Sequence, residues 1–422
     1  MVTIKEELRK LMKQSLLVAS DIGSQKHYVL FRHPDGRNKK VFAIENNREG
    51  FNTLYQKIVD QQREWNLSTV VFGMESTGNY NEGIGKYLME KGITVVLING
   101  FHTKRLKEIS DNSPLKSDLK DPSVIANLMQ LGSVMKYWKP EGPAAELRHL
   151  NQFREKIVKK RVIALNQVQD ALVLVFPEFI KAIGNIRSKT AHYLVSNGYH
   201  DPEIVLSCDK EQLILAVRKV SRRHKKAIEL VDRLEQAALT TTGIISGKQC
   251  VLEEIKWNRE QIAMMDQQLR SIESQMQNYC DQIDYSKHLF SVKGLGIVIV
   301  SGIIGEIGDF SRFHDINEII KYAGLNLYEV SSGKYTGTRR ITKRGRAFLR
   351  KILYLGALSQ IRCNPTMKAW YQEMKAKGKN SYSGLVAVSK KLLRICYGLV
   401  KHKVDYDPEI VAQSRTNDKK VA

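Results

Sequence analysis

The sequence predicts an α/β domain of mixed sheet followed by a long, mostly helical remainder. Three observations carry that reading. Short apolar runs alternate with amphipathic stretches up to residue 143. From Ala144 onward the apolar residues fall at helical spacing, with a strict seven-residue repeat late in the chain. And 422 residues are too many for one ordinary core, so two or three domains are expected.

The strands come first. Leu16 to Ile22 is an apolar run interrupted at Asp21. His27 to Arg32 is a second strand, Pro34-Asp35-Gly36 has turn chemistry, and Lys40 to Ile44 is a third strand. These three predict an antiparallel meander. Phe51 to Trp65 reads as a helix. Thr69 to Met74 and Ile93 to Ile98 read as buried strands flanking a helix near Gly83 to Lys91. Helical runs follow from Pro122 to Leu131 and from Leu147 to Val175. Ile255, Ile262, Leu269, Met276 and Ile283 recur every seven residues, and Met265, Ile272 and Tyr279 stand three places after a partner. With no Pro or Gly inside, that is a heptad seam suited to a hairpin or a dimer stalk. The expected divisions are 1–143, 144–288, 289–404 and a polar tail at 405–422, with 178–250 carrying no readable role.

Composition narrows the partner. Sixty-seven Lys and Arg against 44 Asp and Glu leave a net charge of +23. A surplus of that size, when clustered, favours a polyanion. The five cysteines are far apart, have no metal-ligand spacing and suit a reduced, cytoplasmic chain. No apolar run approaches the ~20 residues of a membrane span, and Met1 to Ser15 is polar rather than a signal peptide. No membrane partner is expected.

Four acids are placed suggestively. Asp21 ends the first strand and Glu75 the fourth, while Asp118 and Asp121 precede a helical run. Strand ends and a helix start can bring carboxylates together, and hard divalent cations want oxygen ligands. Each acid also has an ordinary reading. Asp121 before Pro122 makes a good helix start, Asp21 before Gly23 a strand-end turn, and Glu75 a solvated loop acid.

The second constellation is basic. From Ser331 to Gln372 there are ten Lys or Arg and no acid. Ser331-Ser332-Gly333-Lys334 opens it, and Arg339, Arg340, Lys343, Arg344 and Arg346 follow. This segment suits phosphate. Its serines fit a nucleophile, if activated, or a loop that only hydrogen-bonds phosphate. Upstream, Lys293-Gly294-Leu295-Gly296 opens the apolar Ile297 to Ile307, as in the hairpin of a helix-hairpin-helix unit, where backbone N–H groups hold a phosphate. Close helix packing explains those glycines equally well.

Taken in order, these blocks resemble the DEDD-type transposases of the insertion-sequence family numbered one hundred and ten, described as RNA-guided serine recombinases. The match is carried by Asp21-Ile22-Gly23-Ser24, Glu75-Ser76-Thr77-Gly78 and Ser117-Asp118-Leu119-Lys120-Asp121. It continues through Gly294-Leu295-Gly296, Glu306-Ile307-Gly308-Asp309, Tyr322-Ala323-Gly324-Leu325, Ser331-Ser332-Gly333 and Thr342-Lys343-Arg344-Gly345. The resemblance implies a RuvC-like, ribonuclease-H-type N-terminal domain whose Asp21, Glu75, Asp118 and Asp121 hold Mg²⁺ or Mn²⁺. It implies a coiled-coil middle used in dimerisation and a mostly α C-terminal transposase domain. The catalytic serine falls on Ser332, with Ser331 the alternative. It further implies DNA as substrate, a guide RNA encoded by the element, a dimer or tetramer with a composite site, and action at the nucleoid of a bacterium or archaeon. Two narrower readings stand beside it: a metal-dependent junction nuclease that only hydrolyses, and a non-catalytic nucleic-acid scaffold. A scaffold has no reason to collect four carboxylates, and a protein–DNA adduct separates recombinase from nuclease.

Overall fold

The computed structural model describes residues 4–75, 80–111, 121–221, 224–244, 246–329, 331–332, 335–336 and 340–409. The chain forms two compact units, Met1–Lys139 and Pro140–Ala422. The regions expected at 144–288 and 289–404 both belong to the second.

The first unit is a six-stranded mixed sheet in the order β3-β2-β1-β4-β5-β6. Its strands are β1 (Leu16–Ile22), β2 (Lys26–Arg32), β3 (Phe42–Glu45), β4 (Val70–Glu75), β5 (Thr94–Ile98) and β6 (Met135–Lys136). As the sequence predicts, β1, β2 and β3 form an antiparallel meander. β4 then joins β1 in parallel, and β5 joins β4 in parallel. Between them run α2 (Arg48–Trp65) and α3 (Asn81–Glu90), and further on α4 (Gly100–Asp111) and α5 (Asp121–Gln130); α1 (Ile4–Met12) precedes the sheet.

Strand alternation sorts the side chains onto two faces. Leu16, Val18, Phe72 and Met74 join Leu54 and Ile58 of α2 and Ile84 and Leu88 of α3 in one core. Leu17, Ala19 and Val71 join Leu8 and Met12 of α1 and Ile125 and Met129 of α5 in the other. By the same alternation Asp21 and Glu75 belong to the α5 face. Two features hold α5 there. The buried Arg32 guanidinium donates to Asn127 Oδ1 at 2.5 Å, Gln130 Oε1 at 3.3 Å and Asn38 Oδ1 at 2.7 Å, tying β2 to the helix. Gly73 lets α5 close on the sheet, since a Cβ there would stand 2.3 Å from Met129 Sδ.

The second unit is built on two 34-residue helices, α6 (Gly142–Val175) and α12 (Lys248–Asp281). Arg154 pairs with Glu273 and Arg161 with Asp266, at 2.8 and 2.5 Å. One helix rises by seven residues while the other falls by seven, so the two run antiparallel in heptad register. The predicted seam faces this partner in the same chain: Ile255, Ile262, Ile272 and Met276 are buried, with Met265, Leu269, Tyr279 and Ile283 packed at its margin.

The pair joins two cores. At one end α7 (Pro177–Ile183), α8 (Lys189–Ser196), α9 (Pro202–Ser207), α10 (Lys210–Val220) and α11 (His224–Leu239) gather around Leu172, Phe176 and Ile255. This gives 178–250 a structural role that its sequence did not declare. At the other end α13 (Ser286–Phe290), α14 (Ile297–Ile307), α15 (Ile316–Tyr322), α16 (Ala347–Cys363) and α18 (Ser381–His402) share a core with Leu147 and Met276, while α17 (Pro365–Ala376) packs on α16 and α18. Two short ladders stand between α15 and α16. β7 (Leu327–Tyr328) pairs with β10 (Arg340–Ile341), and β8 (Ser331–Ser332) with β9 (Tyr335–Thr336). Among the described residues no single helix is long and apolar enough to cross a membrane.

α14 approaches α6 backbone to backbone. A Cβ on Gly305 would stand 2.8 Å from the amide nitrogen of Arg148 and 2.9 Å from its Cα, atoms that cannot turn aside. Gly296, at the start of the same helix, has open space around the corresponding position. Gly305→Ala is therefore expected to destabilise the unit by about 1–3 kcal/mol, while Gly296→Ala changes its unfolding midpoint little. Urea titration followed by circular dichroism reads both, and equal midpoints for the two variants would contradict the close approach.

Candidate active site and nucleic-acid surface

The parallel pairing of β1 with β4 creates the acidic site. Leu16 lies opposite Val70, and the register continues to Ser20 opposite Met74. The next step places Asp21 beside Glu75, on strands about 4.8 Å apart. Both acids sit at the carboxyl ends of central strands, where a sheet leaves its ligand-binding crevice. Asp121 opens α5 on the same face and is buried.

One face of α4 lines this cluster. Gly100 makes room for Glu75, because a Cβ there would meet its Oε1 at 2.6 Å. Thr103, one turn on, hydrogen-bonds the Glu75 carboxylate through its side chain. Lys107, one turn further, places Nζ 2.6 Å from Asp121 Oδ1. Burial pushes the Glu75 carboxyl above the ordinary glutamate range; the Lys107 ammonium pulls it back, and the charges of Asp21 and Asp121 raise it again. Sequence reasoning missed Gly100, Thr103 and Lys107. Their i, i+3, i+7 spacing was the available signal, but nothing local said which helix would face the acids.

Carboxylate oxygens of this kind suit a hard divalent cation in donor type. The mutual charge of the three acids, and the lysine drawn into them, fit a place where positive charge is wanted. Among the described residues, no three of His, Cys, Asp and Glu stand close enough to share one ion. Asp118, the fourth acid of the predicted set, lies outside the described residues.

In the second unit α15 and α16 hold the loops that carry several of the predicted basic residues. The loop at 342–346 docks on the end of α15: Thr342 N donates to Asn326 O, Lys343 N to Gly324 O and Arg346 N to Tyr322 O, at 2.8, 3.1 and 2.8 Å. Both glycines of the contact are steric requirements. Gly324 has φ +69°, and a Cβ on Gly345 would meet Tyr322 O at 2.3 Å. Arg350 fastens the same corner by donating to the carbonyls of Ala323 and Lys343. Beneath it, Arg346 grips the buried Glu306 at 2.7 and 3.2 Å, so this arginine of the predicted phosphate set has a carboxylate partner inside the protein. Glu306 was legible as a member of a motif block and as the one acid inside an otherwise apolar helix, but not as the partner of Arg346.

Ser332 pairs with Tyr335 in the β8–β9 hairpin, one residue before the link at 333–334. Arg340 and Arg344 are exposed, as is Lys343, whose φ is +54°. Gly333, Lys334 and Arg339, and the side chains of Ser331 and Ser332, lie outside the described residues. The turn before α14 is docked on α16, with Ser359 donating to Gly294 O at 2.6 Å and Gln360 to Lys293 O at 2.8 Å. Gly294 is needed there, with φ +93° and a Cβ that would press on Cys363 and Ser359. Gly296 and the Lys293 side chain remain exposed at the helix start.

The comparisons with known proteins fall on these same blocks. Residues 18–177 match a DEDD transposase family of IS110, and residues 286–372 match the transposase IS116/IS110/IS902 family. The chain belongs to the IS110 family of DEDD transposases. Among its relatives is an uncharacterized 43.6 kDa protein of insertion element IS110 from Streptomyces coelicolor, 18% identical over 93% of this chain and 95% of that protein. An uncharacterized 42 kDa protein of insertion element IS900 from Mycobacterium paratuberculosis is 21% identical over 69% of this chain and 73% of that protein. A pilin gene-inverting protein of Moraxella lacunata is 25% identical over 48% of this chain and 61% of that protein. The chain is thus a DNA transposase or recombinase, and its family suggests use of a divalent metal.

The raised Glu75 carboxyl has a consequence for stability. A carboxyl held above its unfolded value favours folding while protonated, and that contribution is lost as pH rises through the folded value. Glu75→Gln copies the protonated form. In chelator-treated protein it is expected to raise the melting temperature at neutral pH, with the gain vanishing below the ordinary glutamate range. Calorimetry across that window checks it, and a variant less stable than wild type at neutral pH would refute the strained-acid reading.

Proposed function

We propose that this transposase cleaves and rejoins the DNA strands of its own mobile element through a covalent bond between Ser332 and a DNA phosphate. The observation that carries the reading is the coexistence of two blocks in one chain. An acidic crevice at the ends of β1 and β4 lies in one unit, and a serine hairpin inside an acid-free basic segment lies in the other. The strand order of the first unit, an antiparallel meander continued by two parallel strands, supports a RuvC-like, ribonuclease-H-type domain.

In this reading Asp21, Glu75, Asp118 and Asp121 would hold Mg²⁺, with Mn²⁺ an effective substitute, the three described acids drawing closer than they stand here to share it. When bound, such an ion neutralises charge that builds on the phosphate oxygens during displacement. Ser332 Oγ forms a bond to phosphorus as the bond to the leaving strand oxygen breaks. The serine proton passes to a base, and the leaving strand departs as a hydroxyl. One phosphate ester replaces another, so the second strand's hydroxyl can reverse the step and reseal the DNA without an external energy source. Arg339, Arg340, Lys343 and Arg344 neutralise the backbone phosphates. Lys293, Lys334 and the exposed helix start at Gly296 extend that surface.

The α6–α12 pair is the proposed oligomer contact. Ile163, Val173 and Leu174 on α6, and Trp257 and Met264 on α12, are large apolar side chains left exposed. An apolar surface of this kind suits a second copy of the pair as a coiled-coil assembly. The guide RNA rests on family membership, and the charge of +23 supplies the means to hold it.

Ser332→Ala should abolish strand cleavage and the covalent adduct while DNA and RNA binding persist. A denaturing gel of protein trapped on radiolabelled element-end DNA reads the adduct. Normal cleavage by the alanine variant would favour hydrolysis at the acids, and loss with Ser331→Ala alone would move the nucleophile to the neighbouring serine. Asp21→Asn should lose cleavage equally, because a neutral amide is a much weaker ligand for the hard cation.

A further inference from the structure

Beside the β7–β10 ladder the second unit has a cavity of about 220 Å³ that none of the chemistry above uses. Its floor is apolar, formed by Leu325, Ile341 and Val386. Tyr354 of α16 and Tyr382 of α18 stand at its side, ring centroids 5.9 Å apart and planes inclined at 37°. Tyr382 is 54% exposed, which leaves much of its ring available to a ligand at the cavity. Two cations edge the cavity. Lys351 is neutralised by Glu155, whose two carboxylate oxygens lie 2.5 and 2.6 Å from its Nζ. Arg350 donates to the carbonyls of Ala323 and Lys343, neutral acceptors that hold its guanidinium in place without cancelling its charge.

We infer that this cavity receives one unstacked nucleobase of the DNA strand, packed against Tyr382 and Tyr354, with the phosphate of the same nucleotide facing Arg350. An apolar slot with an aromatic wall takes the flat, weakly hydrated face of a base of any identity. A fixed, uncancelled guanidinium at the rim takes the phosphate that travels with it. Position argues for a nucleotide over an apolar side chain of a partner protein. Ile341 lies on β10, whose partner β7 leads directly into β8 and Ser332, and the whole stretch from 331 to 372 has ten Lys or Arg and no acid. Taking a base out of the stack at this corner would fix the strand's register relative to the serine hairpin, as enzymes do that must present one nucleotide apart from its neighbours. The inference rests on the DNA-handling function proposed above.

The test uses the full-length protein and two fluorescently labelled single-stranded oligodeoxynucleotides of equal length. One has mixed sequence, and the other carries abasic residues throughout its centre. In anisotropy titrations wild type should bind the base-bearing strand more tightly. Tyr382→Ala should weaken binding of that strand about tenfold and leave the abasic strand unchanged, while Tyr382→Phe keeps wild-type affinity for both. Val386→Phe, which fills the slot and leaves both tyrosines in place, should reproduce the selective loss. Equal loss on both strands, or no loss on either, overturns the inference while leaving the recombinase reading standing. Failure of wild type to bind either strand overturns that reading and this one together. Loss of self-association by Tyr382→Ala in light scattering, with both strands bound as before, would assign the cavity to a side chain of a second copy and overturn the nucleobase.

Discussion

The antiparallel pairing of α6 with α12 is the constraint on which the second unit depends. The two helices are separated by some seventy residues of chain, and the other helices of the unit pack directly or through a neighbour on one of the two cores that they join. Heptad spacing sets how they meet, and the Arg154–Glu273 and Arg161–Asp266 pairs fix the register. A buried polar contact adds specificity. Asn151 of α6 donates to Ser301 of α14 in a region otherwise filled by apolar side chains. Such a group is satisfied in one arrangement only, which penalises slippage of the helices. The position of α14, and through it of the Glu306–Arg346 grip beneath the loop at 342–346, follows from that register.

In the first unit the corresponding constraint is repulsion. Two carboxylates on adjacent parallel strands and a third at a helix start oppose one another, and burial of Glu75 makes the charged state costlier. The surrounding fold accommodates this through α4, with a glycine where the acid needs space, a threonine to donate to it and a lysine to offset its neighbours. Sites that are electrostatically uncomfortable in isolation are the ones arranged for a charged ligand. The same logic marks Arg346 within its basic segment, because its carboxylate partner is buried inside the protein.

Local pattern made much of this architecture legible. Leu16 to Ile22 and Ile93 to Ile98 announced strands because alternation and β-branched runs reflect burial on a sheet. The seven-residue repeat from Ile255 to Ile283 announced a helix with one sticky face. The acids Asp21, Glu75 and Asp121 were selected by their place at element ends, and the structure brings their charges within mutual influence. The glycines at 294, 324 and 345 stood out as motif members, and each answers a backbone conformation or a contact that a Cβ would obstruct.

By itself, then, the sequence determined the kinds of element, their order, the charge of the surface and which residue types could do chemistry. These properties depend on neighbours within a few residues. Partnership was decided by tertiary structure, because it joins residues distant along the chain. The seam on α12 could have met a second subunit; its apolar face is satisfied by any helix of matching register, and α6 of the same chain supplies one. Lys107 could have been any surface lysine until the fold of α4 set it on Asp121. Glu306 and Arg346 are forty residues apart, and only the packing of α14 beneath the loop at 342–346 turned a basic side chain that suited phosphate into the partner of a buried acid.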